Sequence, residues 1–294
     1  MILTRAEWSA RADAHAARVD VRIQPHLARR GRGEKHPVHD FLFTYYAQRP
    51  AALRRWHPGF GVRLDDAPEY AGLKGYSDGA VTTAYLASQE RVVSALHSLL
   101  TATASRPPTL GCFGLHEWAM VYRSPPSASG ADDAMRHDWP LRLPADRTDE
   151  VVEQHRIGCS HFDAFRFFTP DARPLNTLQP GRDDRPVFEQ PGCLHAGMDL
   201  YKHAFRLTPL IPSELVADCF ELASDIRVLD MRAAPYDFSG VLLDPAGEPW
   251  TPVPIETAEG KATYVEAQRG FAERGAPLRA RLVEECERLL AVTR

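Results

Sequence analysis

Four His–carboxylate pairs lie in apolar stretches of this sequence: His36 with Asp40, His116 with Glu117, His161 with Asp163, and His195 with Asp199. Imidazole and carboxylate together ligate divalent iron, manganese or zinc, and a set of two histidines and one carboxylate with open positions suits non-haem iron. Alternatively, each carboxylate orients its histidine as a general base. A structural reading competes with both, because a histidine and an aspartate four apart on a helix pair readily with each other.

The densest stretch is Gly111-Cys112-Phe113-Gly114-Leu115-His116-Glu117-Trp118-Ala119-Met120-Val121-Tyr122. Burying its two titratable groups costs several kcal/mol, roughly, unless something pairs with them. Neighbours on a helix point a quarter-turn or more apart, so His116 and Glu117 do not serve one ion together. His116 is then the site residue, and Glu117 anchors a neighbouring helix through an arginine. The candidate metal ligands are His116, His161, His195 and Asp199. Glu117 and Asp163 are the catalytic candidates, with His36 and Asp40 supporting the ligands from behind. Tyr45, Trp118, Arg166 and Lys202 are candidates for holding substrate, through a planar stack or an anionic group; Arg227 and Arg232 are further cations. Core packing and surface ion pairs are the competing roles for these. Cys112, Cys159 and Cys193 each precede a cluster histidine by two to four residues, as nucleophiles or as inert packing.

The elements that carry these residues read as helices. Thr4 and Glu7 form a capping-box pattern that opens a helix over 4–17, and a second follows over 19–30, kinked or restarted at Pro25. A third spans 36–56, with Pro37 in its first turn and a kink or restart at Pro50. Leu86, Val92, Val93, Leu96, Leu99 and Leu100 give an amphipathic helix over 86–103. A buried helix covers 112–122, and Thr148 caps another. The 157–168 stretch allows a strand or a helix, and helix is preferred. Helices over 193–202, from Ser213 to Pro235, and over 257–292 complete the set. A surface loop over 124–147 and irregular segments over 170–192 and 239–256 join them, with short strands expected near 60–85 and 239–256. The expected fold is a mainly α, bundle-like single domain over 1–294.

Composition limits the function classes. The chain has 294 residues, 44% hydrophobic and 25% charged, an ordinary globular balance. A net charge of −4 gives no general basic surface for nucleic acid. Five cysteines with no regular spacing and no Cys-x-x-Cys point to free thiols rather than a disulfide framework. No apolar run approaches the roughly 20 residues of a membrane span, and the first ten residues lack a signal-peptide core, so a soluble cytoplasmic protein is expected. No feature fixes an oligomeric state. Dinucleotide-binding, Walker, Gly-x-Ser-x-Gly and His-Glu-x-x-His motifs are absent, which disfavours nucleotide-cofactor dehydrogenases, P-loop enzymes and zincins.

Four segments also carry a resemblance. His36-Pro37-Val38-His39-Asp40-Phe41-Leu42-Phe43-Thr44-Tyr45-Tyr46, the 111–122 stretch, His161-Phe162-Asp163-Ala164-Phe165-Arg166-Phe167-Phe168 and Gln190-Pro191-Gly192-Cys193-Leu194-His195 resemble a family of bacterial proteins labelled 3-methyladenine DNA glycosylase. The resemblance covers nearly the whole chain. It implies hydrolysis of the N-glycosidic bond to an alkylated purine, with the base flipped and stacked on aromatics. Asp163 or Glu117 would then face the developing sugar cation or activate water. The Leu-Pro-Gly-x-Gly hairpin of helix-hairpin-helix glycosylases is absent. Three readings stand: a metal-dependent helical enzyme acting on a small molecule, a DNA glycosylase, and a non-enzymatic binding protein for a planar ligand.

Overall fold

The computed structural model describes residues 1–124, 139–242 and 247–293. Among them are eleven α-helices and one small four-stranded sheet, so the protein is mainly α. The helices are α1 (Arg5–Gly31), α2 (Phe41–Thr44), α3 (Pro50–Arg54), α4 (Thr83–Ala104), α5 (Leu115–Ala119), α6 (Ala145–Glu153), α7 (Phe162–Phe165), α8 (Arg185–Phe188), α9 (Leu194–Arg206), α10 (Ser213–Arg232) and α11 (Ala258–Thr293). The chain groups into two compact units: residues 1–104, 198–224 and 275–294, and residues 105–197 and 225–274.

In the first unit, the strands β1 (Ile2–Leu3), β2 (Arg63–Leu64), β3 (Tyr76–Ser77) and β4 (Ala80–Val81) run in the order β1-β2-β4-β3. β1 pairs parallel to β2, with Leu3 opposite Leu64, and the other pairings are antiparallel. Leu3, Trp8, Trp56, Leu64 and Tyr70 pack into one apolar cluster beside the sheet. The polar tips of its aromatics are satisfied: the Trp8 indole donates to Asp65 O at 2.8 Å and the Tyr70 hydroxyl to Trp56 O at 2.7 Å.

Several local expectations are corrected. One helix, α1, replaces the two expected over 4–30. Its capping box at Thr4 and Glu7 is present, and it continues through Pro25 because Val19, Ile23 and His26 bury the same face on either side of the ring. Residues 37–40 are turns rather than the start of a helix over 36–56. His36 Nδ1 accepts the backbone N–H of Val38 and His39, and Asp40 Oδ2 accepts that of His36, so side chains take the bonds a helix needs. Pro50 starts α3 instead of kinking a longer helix. Thr148 lies inside α6, its hydroxyl bonded back to Pro144 O at 3.0 Å, and Pro144 holds the cap position. The 157–168 stretch divides: Ile157 bridges Asn176 in parallel, and only Phe162–Phe165 is helical. Of the expected loop over 124–147, residues 125–138 lie outside the described residues, and α6 begins at Ala145. Of the irregular segment 239–256, residues 243–246 lie outside as well. Its remainder carries the single bridge Leu242–Pro249. The helices expected at 86–103, 193–202, 213–235 and 257–292 are present as α4, α9, α10 and α11.

Candidate metal centre

The second unit holds the chemistry. Its residues Leu115, Trp118, Ile157, Ile226, Phe238, Ile255 and Tyr264 are all buried. Here α5 brings His116 and Glu117, the first turn of α9 brings His195, and the last part of α10 brings Arg227 and Asp230.

The helix expected over 112–122 contracts to the five residues of α5. Phe113 and Gly114 both have left-handed backbones, at φ 46° and 70°, and this stops the helix from extending toward Gly111. Space also favours glycine at 114: a Cβ there would lie 3.3 Å from the Ala233 Cβ, a tight contact. The Trp118 indole donates to Ala233 O at 2.9 Å, tying α5 to the end of α10. The turn that feeds α9 is fixed equally firmly. Gln190 Oε1 accepts from the backbone of Gly192 at 2.7 Å and of Thr109 at 2.8 Å, while Gln268 of α11 donates to Gly192 O at 2.6 Å. A Cβ on Gly192 would meet Thr109 O at 2.6 Å.

His116, His195 and Asp230 each present one ligand atom, all within 4.8 Å of one another, and each residue is buried. The His116 and His195 rings meet edge to face, with centroids 4.4 Å apart. Asp230 divides its oxygens. Oδ2 accepts from Arg227 at 2.7 Å, and Oδ1 lies 3.1 Å from His116 Nε2. That second approach is off the line of an N–H···O bond: His116 Nε2 and Asp230 Oδ1 are both buried and neither has a hydrogen-bond partner. An unsatisfied buried polar atom costs about 1–3 kcal/mol. Two that face each other at 3.1 Å form a position that could hold a cation. Donors about 2.0–2.2 Å from an ion and at right angles across it are separated by about 3 Å.

His116 and Asp230 each favour the charged form of the other. Burial alone would lower the His116 imidazole, but the Asp230 carboxylate raises it well above its ordinary range, with smaller help from the Cys112 thiol and Glu117. Burial would raise Asp230, yet the charges of His116, His195 and Arg227 hold it far below the usual carboxylate range. Glu117 shifts the other way. Its burial outweighs Arg227, whose guanidinium lies 3.4 Å from Oε1, and its carboxyl is raised. Glu117 therefore does reach an arginine on a neighbouring helix, and its Oε2 is buried without a hydrogen-bond partner. Cys159 and Cys193 are buried thiols, and burial pushes Cys159 up to about 11 and Cys193 well above its ordinary value. All five cysteines are free thiols.

His161 stands next to this centre at the N-cap of α7, its ring 5.3 Å from that of His195. Its Nε2 is 3.4 Å from Glu189 Oε1. Asp163 and Arg166 form an i, i+3 pair at 3.5 Å on α7, and Arg166 lies over the Phe167 ring. Trp118 is fully buried beneath Arg142, which places it as packing around the centre. Arg232 donates to Thr251.

The remaining candidates belong to the first unit. There Asp199 accepts from the Tyr46 hydroxyl at 2.8 Å and lies 3.4 Å from Lys202 Nζ. Tyr45 stacks on Phe41 at 4.9 Å. Asp40 pairs with His26 and Arg29 as well as the His36 backbone, so its partner is not the His36 ring. His36 stacks against His39 at 4.5 Å.

Asp230 is the functional candidate the motif reading passed over. A signal for it exists. The apolar stripe of α10 runs Leu215, Cys219, Leu222, Ile226, and the next core-facing turn is Leu229 and Asp230. An aspartate at a stripe position is a buried charge with a partner to be found. No family model, curated protein or solved structure matches the chain. Among the described residues, no helix is long and apolar enough to cross a membrane.

Proposed function

We propose that the protein is a metal-dependent enzyme acting on a small molecule, with His116, His195 and Asp230 as its metal ligands. The observation that carries this reading is the pair of buried, unbonded atoms, His116 Nε2 and Asp230 Oδ1, facing each other beside the His195 ring. Two imidazoles and one carboxylate suit divalent iron, manganese or zinc, and three protein ligands leave positions for water and substrate. Non-haem iron is the favoured ion, because that donor set with open positions is the one such oxygenases use.

Bound there, the ion would polarise a substrate oxygen or activate a water or dioxygen molecule. The chain's own residues do the rest. Arg227 holds Asp230 by its outer oxygen and so aims Oδ1 inward. Glu117, raised by burial, keeps a proton at higher pH than an exposed glutamate, and its Oε1 shares Arg227 with Asp230. The burial of His116, His195 and Asp230 themselves would keep bulk water from the ion.

The test is anaerobic loading of the stripped protein with Fe2+, followed by nitric oxide. An iron–nitrosyl absorption and EPR signal in the wild type, lost in Asp230→Asn, is the expected result. Iron that binds without a nitrosyl signal would contradict the open positions. The activity that the family resemblance implies is tested in parallel by release of alkylated adenine from methylated DNA. The metal reading predicts no release with or without added metal.

A further inference from the structure

The first unit carries a cleft of its own. It measures about 460 Å3 and is lined by β2, β3, the turn after β3 and the loop that follows β2. Small-molecule sites span roughly 300–1,000 Å3. Three carboxylates line the cleft, Asp65, Asp66 and Asp78, against one cation, Arg63. Asp66 is 3.5 Å from Arg5. Among the described residues, Asp65 and Asp78 form no ion pair.

The strand register sets these two acids opposite each other. β2 runs antiparallel to β4 with Arg63 opposite Ala80, and Leu64 N donates to Gly79 O at 2.9 Å. Carried one step further, that register brings Asp65 opposite Asp78. Like charges so placed destabilise a strand pair. The turn residues Asp78 and Gly79, with left-handed backbones at φ 48° and 73°, hold Asp78 in this place. An aromatic wall is fixed in the same cleft. Tyr76 lines it half-buried, and its hydroxyl meets His57 Nδ1 at 2.9 Å. The Tyr76 ring lies 5.1 Å from that of Tyr70, whose hydroxyl donates to Trp56 O at 2.7 Å. Both hydroxyls are bonded within the protein, so the rings are in position before a ligand arrives.

We infer that this cleft binds a linear diamine or polyamine, with one ammonium group on Asp65 and the next on Asp78. Carboxylates beside an aromatic face are the groups that recognise ammonium ligands. A bare divalent ion fits the cleft less well. Among the described residues, Asp65, Asp66 and Asp78 are not a set of donors that lie within 4.8 Å of one another. An extended cation meets separated carboxylates one at a time, and its methylene stem lies along the Tyr76 ring. The inference is independent of the proposed metal centre, whose ligands belong to the second unit.

The test is isothermal titration calorimetry of the full-length protein with putrescine at low salt. The wild type is expected to saturate at one equivalent below about 10 mM. Asp65→Asn and Asp78→Asn should each weaken binding about fivefold, the scale of one exposed ion pair, and the double variant should not bind. Butylamine, with a single ammonium, should bind about fivefold more weakly than putrescine. Asp13→Asn removes an exposed charge outside the cleft and should leave the affinity unchanged. Unchanged circular dichroism shows that each variant is folded. A wild type that does not saturate overturns the site, and so does a double variant that binds like the wild type. Asp13→Asn weakening as much as the cleft variants would reduce the effect to general charge attraction and overturn it too. Butylamine binding as tightly as putrescine would contradict the two-point grip, and Mg2+ displacing putrescine at equal concentration would replace the amine with a metal ion.

Discussion

Asp230 has opposite neighbours on its two oxygens, Arg227 on one and His116 on the other, and is fully buried. Removing it takes from the Arg227 guanidinium, itself 1% exposed, its 2.7 Å carboxylate contact. Breaking a buried pair from one side costs about 3–5 kcal/mol. Asp230→Ala should lose stability on that scale in urea unfolding, and a loss near zero would show that the other contacts of Arg227, Glu117 among them, satisfy it. His57 gives an independent prediction in the first unit. Its burial, reinforced by Arg55 and His15, lowers the imidazole to about 4. The unfolded chain therefore takes up a proton near pH 6.5 that the folded protein refuses until near pH 4. Stability should fall as pH drops through that window, by about 3 kcal/mol at full effect. Unfolding measured from pH 7 to pH 4 should show this loss, and His57→Phe should flatten it. At this scale the burial of His116 and His195 and the Glu117–arginine contact were legible in the sequence, because adjacency and apolar context are visible in one dimension. Asp230 stands on the α10 stripe, but its neighbours His116 and His195 are 114 and 35 residues away in the chain, so no local pattern joins them.

Short elements position the site more than long ones do. α5 has five residues and begins from two left-handed residues, Phe113 and Gly114. An alanine at 114 would adopt φ 70° at a cost of about 1–2 kcal/mol and would press on Ala233 and Tyr264. Gly114→Ala should lower the thermal midpoint and weaken metal binding together, because the shift moves His116. A variant that loses stability but binds metal unchanged would separate α5 placement from the site. Periodicity found the long helices α4, α10 and α11, since each buries one stripe over many turns. It failed at 36–46 and 112–122, where apolar and aromatic density mimics a helix. There, His36 and Asp40 side chains bond the backbone, and a left-handed pair ends the regular path.

For the molecule as a whole, the mainly α class followed from helical periodicity and from the shortness of the strand-forming runs. The grouping into two units did not, because α9, α10 and α11 each give residues to both and no linker composition marks a boundary. The grouping carries its own prediction. His116, His195 and Asp230 all lie in residues 105–197 and 225–274. Hydrogen exchange with and without Mn2+ should show added protection concentrated in α5, the first turn of α9 and the last turn of α10. Protection centred on α1 and α4 would place the ion elsewhere.

The measurement that bears most directly on the account is the metal content of protein purified without added metal and dialysed, compared with Asp230→Asn and His116→Ala. The account predicts at least about one equivalent of iron, manganese or zinc per chain in the wild type, or uptake of that amount with a raised thermal midpoint. Both variants should fall below about a tenth of an equivalent while keeping their helical circular dichroism. A wild type below about a tenth of an equivalent, with no thermal shift on adding any of the three ions, would contradict the metal centre and leave His116 and Asp230 as a buried ion pair.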